Sequence, residues 1–207
     1  MVAAEGVIKF DLRFQNSPLE NSGALQELLR WRDVFHRLGA IGQDPDRYAG
    51  DAFGNISCRL GNSSSFLISG TRTGKYEKAQ PGHFTCVDSC DIGKNSVIAH
   101  GPIKPSSESL THAAVYALSP AIHCVVHGHL PQVWTRMQEL NIPATPVDVP
   151  YGTPDMARSI TRLFEQNGKP GQAAFGMAGH EDGIVAYAED FATIEGLMRN
   201  KMEMIVA

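Results

Sequence analysis

Leu25, Leu28, Leu29, Phe35 and Leu38 recur at three- and four-residue intervals within ALQELLRWRDVFHRLG, a spacing that predicts an amphipathic helix ending at Gly39. Just upstream, SPLE (17–20) sets a serine cap, a proline at the first helical position and a glutamate three residues after the cap, so a helix is expected to start at Ser17 or soon after. From residue 54 to about 91 the texture changes to short β-prone runs (NISCRL, SFLIS, FTCVD) separated by Gly, Asn, Ser and Pro, the pattern of antiparallel strands and turns. Helical spacing returns in KPSSESLTHAAVYALS, with Leu110, Ala113, Ala114, Ala117 and Leu118 on one side and Ser106 or Ser107 as cap. AIHCVVHGH suits a buried strand, and TPDMARSITRLFEQNG is a helix with Thr153 as cap, Pro154 at its first position and a glycine stop at Gly168. AAFGMAG and GIVAYA read as two more strands, and a last helix from Asp190 to about Met204 buries Phe191, Ile194, Leu197 and Met198. Helices and strands interleave without a repeated βαβ unit or a linker. The expectation is one mixed α/β domain of the α+β type over residues 1–207, with an N-terminal arm at 1–16 and a central, mainly antiparallel sheet flanked by helices.

Composition narrows the partners. At 207 residues and 43% hydrophobic, the chain can bury a full core, and 18 Lys+Arg against 22 Asp+Glu give a net charge of -4 with no long run of like charges. Nucleic acid is therefore not an expected partner, although local donors can hold a single phosphate whatever the overall sign. The four cysteines are too few and scattered for a disulfide framework and read as reduced thiols; Cys86 and Cys90 lack the second pair of a zinc site. Charged residues interrupt the opening MVAAEGVIKFDLRF, and no segment reaches about 18 consecutive apolar residues, so a cytoplasmic protein with no membrane partner is expected.

Candidate chemistry begins at CVVHGHL. In a strand, His127 and His129 point to the same side, roughly 6 to 7 Å apart at their α-carbons, and two imidazoles so placed can converge on one ion. Gly128 leaves the backbone free to bend toward it. The same two rings could equally hydrogen-bond where a strand ends. A third donor changes the balance, and His180, at a glycine-flanked junction of two predicted strands, is the best placed. His123 shares the parity but falls roughly 13 Å from His127, and His112 follows Glu108 by one helical turn as an ordinary helix pair. IKPSSESL offers a further possibility: a helix starting at Ser106 or Ser107 presents free N–H groups, hydroxyls and a dipole that favours an anion. A doubled cap, with Glu108 complementing the dipole, explains the same residues. GNIS (54–57) and SGTRTG (69–74) are further turns able to offer backbone donors.

Taken in order, Gly54 and Asn55, Ser69 and Gly70, PSSE (105–108), VVHGH (125–129), PYGT (150–153) and the histidine of GHEDGIVA make the chain resemble the class II aldolase/adducin family, over about residues 54–198. The resemblance implies that His127, His129 and His180 hold a divalent metal, usually Zn2+, with Glu108 as acid/base and at times a resting ligand. It also implies that Gly54, Asn55, Ser69, Gly70, Ser106 and Ser107 bind a substrate phosphate, and that the chain forms a homotetramer with active sites at subunit interfaces. The implied activity is a metal-dependent aldolase-type lyase, making or breaking a carbon–carbon bond in a phosphorylated sugar or related hydroxy-ketone through a metal-stabilised enediolate. A sugar-phosphate epimerase or dehydratase needs the same site, and an assembly module like the adducin head needs only the fold. The chain departs from the family in its short segment between His129 and PYGT, in having 27 residues after His180, and in the EDG that follows His180. The family aldolases' tyrosines have no counterpart here, and the substrate stays open.

Overall fold

The computed structural model describes residues 6–167 and 173–206. Along the chain these form β1 (Asp11–Asn16), α1 (Gly23–Arg37), β2 (Gly42–Gln43), β3 (Ala52–Phe53), β4 (Asn55–Arg59), β5 (Phe66–Ser69), β6 (Phe84–Asp91), β7 (Ser96–Gly101), α2 (Ser109–Leu118), β8 (Cys124–His129), α3 (Pro131–Thr135), β9 (Ala144–Thr145), α4 (Pro154–Asn167), β10 (Ala173–Met177), β11 (Gly183–Ala188) and α5 (Phe191–Val206). Nine strands make one sheet in the order β1-β7-β6-β5-β4-β8-β11-β10-β9, with β2 and β3 pairing apart from it. The outermost ladders, β1 with β7 and β9 with β10, are parallel; every ladder between them is antiparallel. This is a single α/β domain with a mixed, mainly antiparallel sheet. Among the described residues no helix is long and apolar enough to cross a membrane.

Both faces of the sheet are covered, because alternate residues of its central strands are apolar on each side. One face sends Ile56, Leu67, Phe84, Val126, Ile184 and Ala186 against Leu25, Leu28 and Phe35 of α1 and Phe191, Ile194 and Met198 of α5. The other sends Ile68, Val87, Val125, Val185 and Tyr187 against Leu110, Ala114 and Val115 of α2 and Met156, Ile160 and Phe164 of α4. Arg32 of α1 is buried and donates to the carbonyls of Thr73, Gly74 and Glu77 at 2.8–3.1 Å, which ties the helix to the loop after β5.

Two local expectations differ from the fold. The helix signalled by SPLE starts later: the Ser17 amide still bonds to Gly101 O in extension of the sheet, and Ser22 accepts from Leu25 N as the actual cap. Within the segment expected to be an arm, residues 11–16 are the edge strand β1; residues 1–5 lie outside the described residues, as does the glycine stop at Gly168. In agreement with the sequence reading, Cys86 and Cys90 do not share a site: a bulge at Asp88 interrupts the β6–β7 register and sends Cys90 to the opposite face, beside Val97.

Candidate active site

Strand β8 lies between β4 and β11, and its pairing sets which side chains meet. His127 stands opposite Asn55 on one side and Val185 on the other, on the face covered by α2 and α4. Gly128 points to the other face, where a Cβ would come within 2.9 Å of Ala40 Cβ and 3.0 Å of its carbonyl oxygen. The glycine is thus required by the packed Ala40 loop, whose carbonyl also accepts from His129 N, and not by a bend toward an ion. His180 sits in the tight turn from β10 to β11: its N–H donates to Met177 O and its carbonyl accepts from Gly183 N. Asp182 in that turn is left-handed, with φ 62°, and its carboxylate accepts from Tyr48 Oη and the Arg47 guanidinium.

The three imidazoles form a nearly equilateral set, with ring centroids 5.1, 5.0 and 4.9 Å apart. One ligand nitrogen from each lies within 4.8 Å of the other two, and all three residues are buried. Tetrahedral zinc draws such nitrogens to roughly 3.3 Å apart, a closure that side-chain rotation supplies. A cluster able to chelate a metal ion is therefore present. Aromatic rings fix its walls: Tyr48 meets His129 edge-on at 4.5 Å, Phe53 stacks on it at 5.0 Å, and Tyr151 stacks on His180 at 4.6 Å. Lys9 lies over the Tyr151 ring, 3.6 Å from its centre.

Glu108 completes the constellation from the entrance of α2, its Oε1 lying 3.3 Å from both His127 Nε2 and His180 Nδ1. Burial pushes this carboxyl up, but the imidazoles of His127, His180 and His112 outweigh it and hold the group down at about 2. His129 is held well below the usual imidazole range by burial first and by His127, His180 and Arg47 next. One turn along α2, His112 shares a 2.7 Å hydrogen bond with Ser57 Oγ, which also bonds Tyr116 Oη. Burial pushes His112 down to about 3, Glu108 only partly opposing it.

That depression gives a sign to the acid response. Above pH 6.5 His112 is neutral folded or unfolded and contributes nothing; between 6.5 and about 3 the unfolded chain binds a proton that the fold refuses. Stability is then lost as pH falls, by about 1.4 kcal/mol per pH unit from this group. In urea titrations of chelated protein, His112→Gln is expected to reduce the slope of stability against pH in that window by about one proton; an unchanged slope removes His112 from the account.

A small pocket is lined by Glu108, Gly54, Asn55, Gly70, Ser106 and Ser107 together with Gly6, Ala52, Thr71 and Arg72. Gly54 is left-handed (φ 76°) with Ala40 O only 2.8 Å from where a Cβ would stand, so no other residue fits this turn without strain. Ser69 is not among the lining residues: its hydroxyl accepts from Ile56 N inside the sheet. Ser106 and Ser107 are not helix caps either. Ser106 Oγ accepts from Glu108 N and its carbonyl from Ser109 N, forming a turn before the helix, with Glu108 at the N-cap position. Sequence reasoning missed Tyr48, Phe53, Asp182, Thr71 and Arg72. The SGTRTG turn contained a hint of the last two, whereas RYAGDAFG carries no periodicity that places a loop beside His129.

Comparison with known proteins adds sequence and fold relatives. The family model described as Class II Aldolase and Adducin N-terminal domain matches residues 46–194. Methylthioribulose-1-phosphate dehydratase of Gluconobacter oxydans is 32% identical over 101 residues, 48% of this chain and 45% of that enzyme. Its counterpart from Gluconacetobacter diazotrophicus is 31% identical over 103 residues, 48% of this chain and 46% of the enzyme, so the match takes in less than half of either relative. Among solved structures, an L-fuculose 1-phosphate aldolase superposes with a TM-score of 0.64 at 20% identity, covering 90% of this chain and 84% of that one. A sugar-phosphate aldolase from Thermotoga maritima gives 0.62 at 16% identity, covering 88% and 93%. At these identities the superpositions establish a shared fold.

Proposed function

This chain belongs to the class II aldolase and adducin family, and on that premise we propose that it is a metal-dependent lyase acting on a phosphorylated hydroxy-ketone of the sugar-phosphate kind. One observation carries the reading: a buried carboxylate stands against three clustered imidazoles on one side and a small-residue pocket on the other. In this reading His127, His129 and His180 hold Zn2+ or another divalent ion. Such an ion supplies Lewis-acid stabilisation of the negative charge that develops on substrate oxygens.

The other steps belong to the chain. Ser106, Ser107, Gly70, Gly54 and Asn55 receive the phosphate through hydroxyls and backbone donors beside the α2 entrance, whose dipole favours an anion. That anchorage fixes the reacting carbons relative to Glu108, which takes up and returns the proton exchanged at carbon or hydroxyl. Burial excludes water from the carboxylate: Glu108 is 1% exposed. In the family pattern, this site lies at a subunit boundary of a homotetramer, which light scattering of the purified chain checks.

Carbon–carbon cleavage is the first form of the reaction and dehydration the second; the identity to two methylthioribulose-1-phosphate dehydratases favours including the latter. A purely architectural role makes no use of Glu108 among the imidazoles. Phosphorylated ketoses incubated with the chain and a divalent ion are expected to release either an aldehyde plus a ketone phosphate, or one water with a dicarbonyl product. Chelation should stop turnover and added metal restore it. Inertness toward all such substrates, with metal bound, would reject the lyase reading.

A further inference from the structure

We propose that Cys86, Asp88 and His100 form a second metal site, taking a borderline-soft divalent ion such as zinc or cobalt(II) on the β6–β7 hairpin. The three donors converge for topological reasons. Cys86 and His100 are directly opposed in the antiparallel ladder, which puts their side chains on one face and within contact range. The bulge at Asp88 keeps that carboxylate on the same face and brings it across the pair. Asp88 Oδ1 lies 3.8 Å from Cys86 Sγ, Oδ2 lies 3.0 Å from His100 Nδ1, and one ligand atom from each residue lies within 4.8 Å of the others.

Those separations suit an ion. Zinc at about 2.3 Å from sulfur and 2.0–2.2 Å from nitrogen and oxygen sets the donors roughly 3.3 to 3.6 Å apart in a tetrahedron. Thiolate, imidazole and carboxylate together favour zinc or cobalt over magnesium or calcium. His100 and Asp88 are half-exposed, so a fourth position is open to water, whereas Cys86 is buried and its thiol is pushed up to about 11 by burial and by Asp88. Uptake therefore replaces the thiol proton, which leaves to solvent. The site is independent of the histidine cluster: β6 is separated from β8 by β5 and β4, roughly 14 Å across the sheet, and Cys86 faces the α1 side whereas His127 faces α2.

Cobalt(II) titration of the full chain separates the two sites by their ligands. A sulfur-to-cobalt charge-transfer band in the near ultraviolet requires a cysteine ligand, and the cluster of His127, His129 and His180 contains none. The band is expected to grow with one cobalt per chain, to vanish in Cys86→Ala and to persist in Cys90→Ala. His100→Ala and Asp88→Asn alter half-exposed side chains outside the packed core, and each is expected to weaken the band's cobalt affinity at least tenfold. Absence of the band up to roughly millimolar cobalt, or a band unchanged in Cys86→Ala or in both surface variants, overturns the proposal.

Discussion

Replacing Glu108 with glutamine is expected to lower kcat by a hundredfold or more while leaving metal content and phosphate affinity close to those of the parent chain. Glutamine keeps the length of the side chain and an acceptor oxygen where Oε1 now stands, 3.3 Å from His127 and His180, so the imidazoles lose a charge beside them but not their packing. What disappears is the capacity to bind and release a proton, a function worth about a hundred- to ten-thousandfold. The neighbouring imidazoles hold the carboxyl at about 2, so it is ionised at neutral pH. Steady-state kinetics on the ketose phosphate that turns over, alongside elemental analysis, makes the check. Near-normal kcat with metal retained would remove Glu108 from proton transfer, and joint loss of metal and activity would make it a ligand first.

The second large effect concerns the histidines. His127→Ala/His129→Ala is expected to lower bound zinc by about one ion per chain and to abolish turnover, the bound zinc being counted by elemental analysis of both proteins. Thermal unfolding supplies a second readout. An ion that binds only the folded chain at a hundred times its Kd adds about 2.7 kcal/mol, which the parent gains on zinc addition and the variant does not. Both imidazoles are buried, and Tyr48 and Phe53 pack on His129, so the variant also loses packing. Comparing the two proteins in chelator isolates that loss from the metal contribution. An equal zinc-dependent shift in both proteins would exclude this pair as ligands.

Much of the framework was legible because it is local. The three- and four-residue spacing around Leu25, Leu28 and Phe35, with Gly39 as stop, marks α1 and its end, and the apolar run into His127 marks β8. Strand spacing pairs His127 with His129 and a glycine-flanked turn singles out His180, but joining Glu108 to them came through motif order, since β8, the turn before β11 and the entrance of α2 are brought together only by the tertiary fold. What escaped is non-local too. DLRFQN alternates as an edge strand should, but its partner β7 comes some 80 residues later and is parallel, so nothing nearby announces it. The bulge that separates Cys90 from Cys86 leaves no composition signal, and regular alternation would have put both on one face. Tyr48 meets His129 from a left-handed turn that it shares with Ala49, φ 51° and 56°, a conformation that tertiary packing imposes on residues that do not ordinarily choose it.

The antiparallel pairing of β8 with β11 also carries an expectation for the order of events in refolding. Since 53 residues separate His127 from His180, the three imidazoles meet only after that long loop has closed, by a step slow relative to helix formation. On the proposed metal-binding role, ion capture is consequently expected to be a late event: a chain with β8 formed but β11 undocked offers the His-x-His pair alone, and the third imidazole joins only when the central strands zip together.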